Sequence, residues 1–145
     1  MSMVEMIPQR LYVGGRISKD DWRFIQKNIT VIINLRTKPD MLPFDFRNKI
    51  MIWAPLNVMK APNLNWTIPF IYRINTLFDS GHRILIHCLL GRERSGFVIT
   101  AFFMQKFGLS RDEALKLARR RKPNLTPPRH YMLLLSQYED YLREE

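Results

Sequence analysis

An α/β fold, one sheet with helices packed on it, is what this sequence predicts, in a single domain over residues 1–145. Three observations carry that expectation. Short apolar, β-branched runs alternate with helical patterns through the first two thirds of the chain, as in a sheet flanked by helices. The last third keeps helical spacing throughout. With 145 residues, 46% of them apolar, the chain has the size of one ordinary core, and no linker, repeat or low-complexity stretch divides it.

Four runs read as strands: 10–13, 30–35, 49–56 and 83–87. Between the first two, Ser18-Lys-Asp-Asp21 has the polar residues of a capped helix start and leads into Trp22, Phe24 and Ile25. A second helix is expected over 68–79, ending at Ser80-Gly81. After the fourth strand, residues 96–107 place Phe97, Val98, Ala101, Phe102 and Met104 at helical spacing and stop at Gly108. Ser110-Arg-Asp-Glu113 matches a capping box for a helix over 114–121. Pro127-Pro128 opens a last helix in which Tyr131, Leu134, Leu135, Tyr138 and Leu142 recur on one face. The methionines and aromatics of these helices are read as core.

Charge and cysteine content narrow the function. Lysine plus arginine number 23 against 13 acids, a formal net charge of +10. That excess favours anionic partners such as phosphoproteins, nucleic acid or inositol phosphates, although basic residues also simply solvate a surface. One cysteine leaves no internal disulfide, and no cysteine–histidine spacing offers a zinc site, so no metal is expected. A lone thiol fits a reducing compartment, and a cytoplasmic location is expected. The longest strongly apolar stretch, 97–104, is far shorter than the roughly 20 residues of a membrane-spanning helix. Residues 1–8 lack the charged-then-apolar order of a signal peptide and the glycine of a myristoylation site.

The chemistry concentrates in Ile84-Leu-Ile-His-Cys88-Leu-Leu-Gly-Arg-Glu-Arg94-Ser95-Gly96, a buried strand running through a polar loop into a helix. The stretch from Cys88 to Arg94 can curl so that successive N–H groups converge on a tetrahedral anion. Gly91 relaxes the dihedral limits on that curl. The helix opening near Ser95 turns its positive end on the same point. Cys88 is the expected nucleophile: cations and helix ends favour the thiolate, which attacks phosphorus to form a phosphocysteine. Arg94 offers a planar fork for two phosphoryl oxygens, a fit lysine lacks. Ser95 is placed to hydrogen-bond the sulfur as it leaves in the second step. His87 is expected to be a buried scaffold that hydrogen-bonds the loop, on the face opposite Cys88 because adjacent strand residues alternate. Cysteine and arginine at this spacing alone would read as chance; the strand, glycine, hydroxyl and helix around them argue against that.

At these residues the chain resembles the dual-specificity branch of the protein tyrosine phosphatases, whose signature is His-Cys-x5-Arg-Ser/Thr. Ile7-Pro-Gln-Arg-Leu-Tyr-Val-Gly-Gly is similar to the family's opening strand and Ile29-Thr-Val-Ile-Ile-Asn-Leu to its second. Ser110-Arg-Asp-Glu-Ala-Leu, the later Arg-Arg-Lys-Pro and Pro127-Pro128 are similar to its closing helices. The resemblance implies a central, mostly parallel sheet of four to five strands with helices on both sides and a shallow active site. It also implies a phosphomonoester hydrolase acting on phosphorylated protein, with a phosphate loop of Leu89, Leu90, Gly91, Arg92, Glu93 and Arg94. No cofactor is implied, and a monomer is expected.

One expected residue is missing. The family carries an aspartic acid upstream that protonates the leaving oxygen and later activates water. The corresponding stretch here, Ala54-Pro-Leu-Asn-Val-Met-Lys-Ala-Pro-Asn-Leu64, has no carboxylate. Alignment on Pro62 and Leu64 puts Asn57, or one residue later Val58, at the acid's position. A general acid contributes about 10²–10⁴ in rate. Three explanations stay open: an aspartate replaced by Asn57, a carboxylate from elsewhere such as Asp40, Asp45 or Glu93, or a substrate with a good leaving group. Glu93 is expected to point outward, toward a nearby arginine. The rival readings are an RNA 5′-triphosphatase or phosphoinositide phosphatase of the same superfamily, and a weakly active phosphate-binding module. Against the RNA reading, Leu89-Leu90 and Arg92-Glu93 differ from the loop of RNA triphosphatases. Arg119-Arg-Arg-Lys122 and Arg129 either complement a helix C-terminus or flank the pocket to hold a second phosphate or an RNA backbone. Trp53 and Trp66 are the aromatic candidates for stacking on single strands.

Overall fold

Leu-Tyr-Val-Gly, Val-Ile-Ile-Asn and Ile-Leu-Ile-His are apolar through most of their length, and strands of that kind need cover on both faces. The computed structural model describes residues 3–144. In it these runs form β2 (Leu11–Gly14), β3 (Val31–Asn34) and β5 (Ile84–His87), buried at every position. With β1 (Met3–Ile7) and β4 (Ile50–Trp53) they make a five-stranded sheet in the order β1-β2-β5-β3-β4. β1 runs antiparallel to β2, and every other pairing is parallel.

The two faces fill in alternation. Leu11, Val13, Val31, Ile33, Ile84 and Ile86 point into the larger core, beneath α2 (Leu64–Asp79), α3 (Arg94–Phe107), α4 (Arg111–Arg121) and α5 (Arg129–Glu144). Tyr12, Ile32 and Leu85 point the other way and pack with Ile25 and Ile29 from α1 (Lys19–Asn28) and its end. Because β2 to β5 are parallel, their carboxyl ends share one edge, the place where open α/β sheets bind ligands. β5 enters last, between β2 and β3, so the segment leading from it into α3 sits at the centre of that edge.

The helix starts follow from their caps. Ser18 N donates to Asp21 Oδ2 at 3.0 Å. At α4 the box is reciprocal: Glu113 N donates to Ser110 Oγ at 3.1 Å and Ser110 N to Glu113 Oε1 at 2.9 Å. α2 begins at Leu64 rather than at 68, because Asn63 caps it by accepting from Trp66 N at 2.9 Å. Pro69 then lies inside the helix and removes one bond instead of opening it. α3 begins at Arg94 rather than at 96. β1 was not expected as a strand of its own: Met-Val-Glu-Met-Ile lacks clean alternation, and the strand pairs on one side only. Trp66 stacks on Phe70 with ring centroids 4.5 Å apart, whereas Trp53 is 52% exposed on edge strand β4. Met1 and Ser2, on which the leader and myristoylation expectations partly rest, lie outside the described residues. Among those residues no helix is long and apolar enough to cross a membrane.

Candidate active site

β5 ends at His87 and α3 begins at Arg94, so residues 88–93 must turn the chain at the sheet edge. Bonds from outside fix that turn: Cys88 N donates to Gly14 O at 3.3 Å, Arg16 N to Leu89 O at 2.8 Å and Thr126 N to Arg92 O at 2.8 Å. A trans peptide sets each N–H opposite the preceding carbonyl. Outward carbonyls at Leu89 and Arg92 therefore leave the Leu90 and Glu93 amides facing inward, and among the described residues no amide from Leu89 to Arg94 donates to another main-chain group. The result is an anion nest. Gly91 makes the turn possible twice over. Its φ is +69°, and a Cβ there would lie 2.7 Å from Gly14 C and 2.8 Å from Gly15 N.

Cys88 is buried on the α2–α5 side of the sheet, and its Sγ accepts a hydrogen bond from Ser95 Oγ at 3.1 Å. Arg94 is buried as well. Its Nη1 donates to Leu56 O at 3.1 Å and Leu35 O at 3.4 Å, while its Nε is buried without a partner. A buried unmade donor costs about 1–3 kcal/mol, and a phosphoryl oxygen would satisfy this one. The cavity lined by Val58, Cys88, Leu89, Leu90, Glu93 and Arg94 is about 80 Å³. Ordinary ligand pockets run to about 300–1,000 Å³. This one holds a phosphoryl group and leaves the rest of a substrate against Leu89 and Leu90, both half exposed.

Several residues sit elsewhere than expected. Asn57 turns its side chain onto its own backbone, Oδ1 accepting from Met59 N at 2.8 Å, and does not line the cavity; Val58 does. An asparagine takes up this local turn readily. α5 holds the segment in place: Tyr131 Oη donates to Asn57 O at 2.6 Å, and His130 Nε2 lies 2.6 Å from Val58 O. Burial pushes the Tyr131 hydroxyl up to about 12. His87 is buried with its Nε2 2.7 Å from Asp40 Oδ2 rather than bonded to the loop, and its Nδ1 has no partner. Asp40 faces a separate cavity of about 600 Å³ beside α1. Asp45 is half exposed and bonded by Arg47 at 2.7 and 3.0 Å, which holds its carboxyl below the usual range. Glu93 is among the residues around the cysteine's cavity, where its inward amide places it, and its side chain makes no cap bond to α3.

Lys122 was legible only as one of a basic run. The chain turns it under the loop just after α4, where it is 7% exposed and donates to Asn124 Oδ1 at 2.9 Å. Burial lowers its pKa, the Cys88 sulfur raises it and Arg92 lowers it. Lys122 thus sits within electrostatic reach of the nucleophile. Arg120 and Arg121 stay exposed, and Arg119 Nε donates to Leu125 O at 2.9 Å. Pro123, which stops the helix, is the one sequence signal that sets Lys122 apart from its neighbours.

The family described as "Dual specificity phosphatase, catalytic domain" matches residues 11–141. The chain belongs to that family. That family lies within the protein-tyrosine-phosphatase superfamily. The chain is 32% identical over 145 residues to Dual specificity protein phosphatase Mpk3 of Drosophila melanogaster, covering 97% of this chain and 34% of that protein. It is 42% identical over 149 residues to Dual specificity protein phosphatase 9 of Homo sapiens, covering 98% and 37%. The domain therefore spans little more than a third of these relatives' length. The crystal structure of a mouse putative dual specificity phosphatase complexed with zinc tungstate matches with a TM-score of 0.86 at 21% identity, over 99% of this chain and 89% of that one. That likeness establishes the shared fold.

Proposed function

We propose that this domain hydrolyses phosphomonoesters on protein through a phosphocysteine at Cys88. One observation carries the reading: Arg94 is pinned by two main-chain carbonyls through Nη1, yet keeps a buried Nε unpartnered beside a sulfur bonded by Ser95. A substrate dianion enters the nest and takes hydrogen bonds from the inward amides and from Arg94. The Cys88 sulfur attacks phosphorus, and the bond to the leaving oxygen breaks. Ser95 then stabilises the sulfur as water displaces it and inorganic phosphate departs.

The phosphoryl-sized cavity with Leu89 and Leu90 at its rim supports an aryl group just outside, and a phenolate leaves more readily than an alkoxide. Phosphotyrosine is therefore the favoured substrate over phosphoserine. The domain acts as a monomer, and its single thiol supports a reducing compartment such as the cytoplasm. Rapid quenching of a labelled phosphotyrosine peptide tests the mechanism: label is expected on Cys88, and Cys88→Ser is expected to lose turnover. Turnover retained in that variant ends the covalent reading.

Val58 in the acid's place favours a second reading, a phosphate-binding module with little turnover. It predicts tight phosphopeptide binding without hydrolysis, and turnover that appears only on Val58→Asp. An RNA 5′-triphosphatase or phosphoinositide phosphatase would instead prefer triphosphate-ended RNA or inositol lipid over the peptide.

A further inference from the structure

The cavity of about 600 Å³ beside α1 takes no part in the chemistry above, and none of its residues borders the cysteine's cavity. It opens at the same sheet edge. Arg16 N donates to Leu89 O and Leu35 N to His87 O, each at 2.8 Å, so the segments that follow β2 and β3 hold the end of β5 and its loop from either side. Cys88 belongs to the core under α2–α5, whereas this cavity lies on the α1 face. A phosphoryl group held at the sulfur therefore leaves this second space open.

Its charge is one-sided: Arg16, Lys19, Arg36 and Lys38 border it against a single carboxylate, Asp40. Atomic contacts fix the groups that matter most. The main chain of Arg36 is tied down on both sides, N donating to Asn34 Oδ1 at 2.8 Å and O accepting from Trp53 Nε1 at 2.9 Å. Its side chain is only 16% exposed, and its ion-pair partner, Asp40 Oδ1, stands 3.9 Å away, beyond hydrogen-bond reach. The other oxygen of Asp40 is taken by His87. Among the described residues the Arg36 guanidinium makes no hydrogen bond, so a largely buried fork of five donors has no acceptor. Lys19 Nζ lies 6.0 Å from the centre of the Trp22 ring, which sets a second cation over the indole of the same wall. By contrast Lys106, the one cation of the cavity of about 270 Å³ between α2 and α3, is bonded to Asp79.

We propose that this cavity binds a small polyphosphate carried on a ring, at a site separate from the phosphoryl site of Cys88. Arg36 takes two oxygens of one phosphate in its planar fork, and Lys19 and Lys38, both exposed, close on the others. The volume lies within the range of small-ligand pockets, about 300–1,000 Å³, and is several times the phosphoryl-sized space at the cysteine. Ile17, Trp22, Met41 and Leu42 give the cavity an apolar side that phosphates alone do not fill, and the ring sits there. Inositol polyphosphates and nucleoside triphosphates share this chemistry. Such a ligand competes with Asp40 for Arg36, not with substrate for Cys88, so its binding is separable from turnover.

The full chain, its nest filled with vanadate, is titrated with inositol hexakisphosphate and separately with ATP, by calorimetry and by tryptophan fluorescence. One equivalent of at least one probe is expected to bind, with a change in emission that Trp22→Phe removes. Arg36→Gln is expected to weaken that binding at least about tenfold, the worth of one charge-assisted pair, and Lys38→Gln to weaken it in the same direction. Arg121→Gln removes the same charge from an exposed place outside the cavity and should change binding by less than about threefold. Equal vanadate affinity in Arg36→Gln and the unaltered chain shows that the variant folds and that the two sites are distinct. The tighter probe names the source, inositol phosphate or nucleotide. Equal losses in Arg36→Gln and Arg121→Gln would mark diffuse attraction to a chain of net charge +10 and overturn the proposal. Binding that vanadate abolishes, or binding of neither probe, overturns it as well.

Discussion

Replacing Gly91 with alanine should strike the nest harder than any other single methyl group. Two separable costs meet there. The residue has φ of +69°, a left-handed conformation that costs a side chain about 1–2 kcal/mol. The added Cβ would also stand 2.7 Å from Gly14 C, 2.8 Å from Gly15 N and 2.9 Å from Gly14 O, all main-chain atoms with no rotamer to escape into. Overpacking of that kind costs about 1–3 kcal/mol more. The sum, about 2–5 kcal/mol, is a large share of the about 5–15 kcal/mol that holds a domain together.

Two controls divide the sum. Gly108→Ala has φ of +65° with nothing within 4 Å, so it reports strain alone. Gly15→Ala would meet Leu89 O at 2.9 Å without a left-handed φ, so it reports contact alone. Urea unfolding gives the three stabilities, and vanadate titration shows whether the loop survives. Gly91→Ala is expected to lose about as much as the two controls combined and to weaken vanadate at least tenfold. If Gly91→Ala unfolds within about 0.5 kcal/mol of Gly108→Ala, the scatter of a surface change, the close packing of loop on Gly14–Gly15 is refuted.

Lys122→Met should raise stability while weakening vanadate binding, because burial disfavours the ammonium until an anion arrives. Its folded pKa lies below the ordinary 10.5, so the unaltered chain should gain stability relative to the variant as pH climbs toward that value; a gap that stays constant between pH 7 and 10 would contradict this. Asp40→Asn disturbs the buried contact to His87 on the α1 face and should cost about 1–3 kcal/mol in urea unfolding. Vanadate affinity should change little, since Asp40 does not line the cysteine's cavity; a tenfold loss would show that His87 shapes the nest after all.

The nest, the strands beside it and most helix starts were legible because they depend on residue types with one dominant physical role. Gly91 permits the turn, Ser110 with Glu113 can only be a cap, and the runs that became β2, β3 and β5 are too apolar to lie anywhere but inside. The rim was less legible. Asn57 and Val58 are neighbours, and deciding which faces the cavity takes the local turn of Asn57 onto Met59 N together with the grip of Tyr131 and His130 from the last helix. Lys122 was hidden among identical charges until the chain direction after α4 set it apart. The partner of His87 came from a loop with no pattern, Asp40, brought close only by tertiary folding.

Main-chain groups do nearly all the holding of this loop. Gly14 O, Arg16 N and Thr126 N fix its outside, and the carbonyls of Leu35 and Leu56 fix Arg94. Such contacts constrain backbone path but place almost no demand on side-chain identity beyond glycine. The anion nest can therefore persist while its rim residues Val58, Leu89, Leu90 and Glu93 change. Proton transfer belongs to that rim, since a donor needs reach and a free carboxyl rather than a fixed strand position. A valine in the cavity wall where the family keeps an acid therefore alters proton transfer to the leaving group while leaving the nest that binds the phosphoryl group as it is.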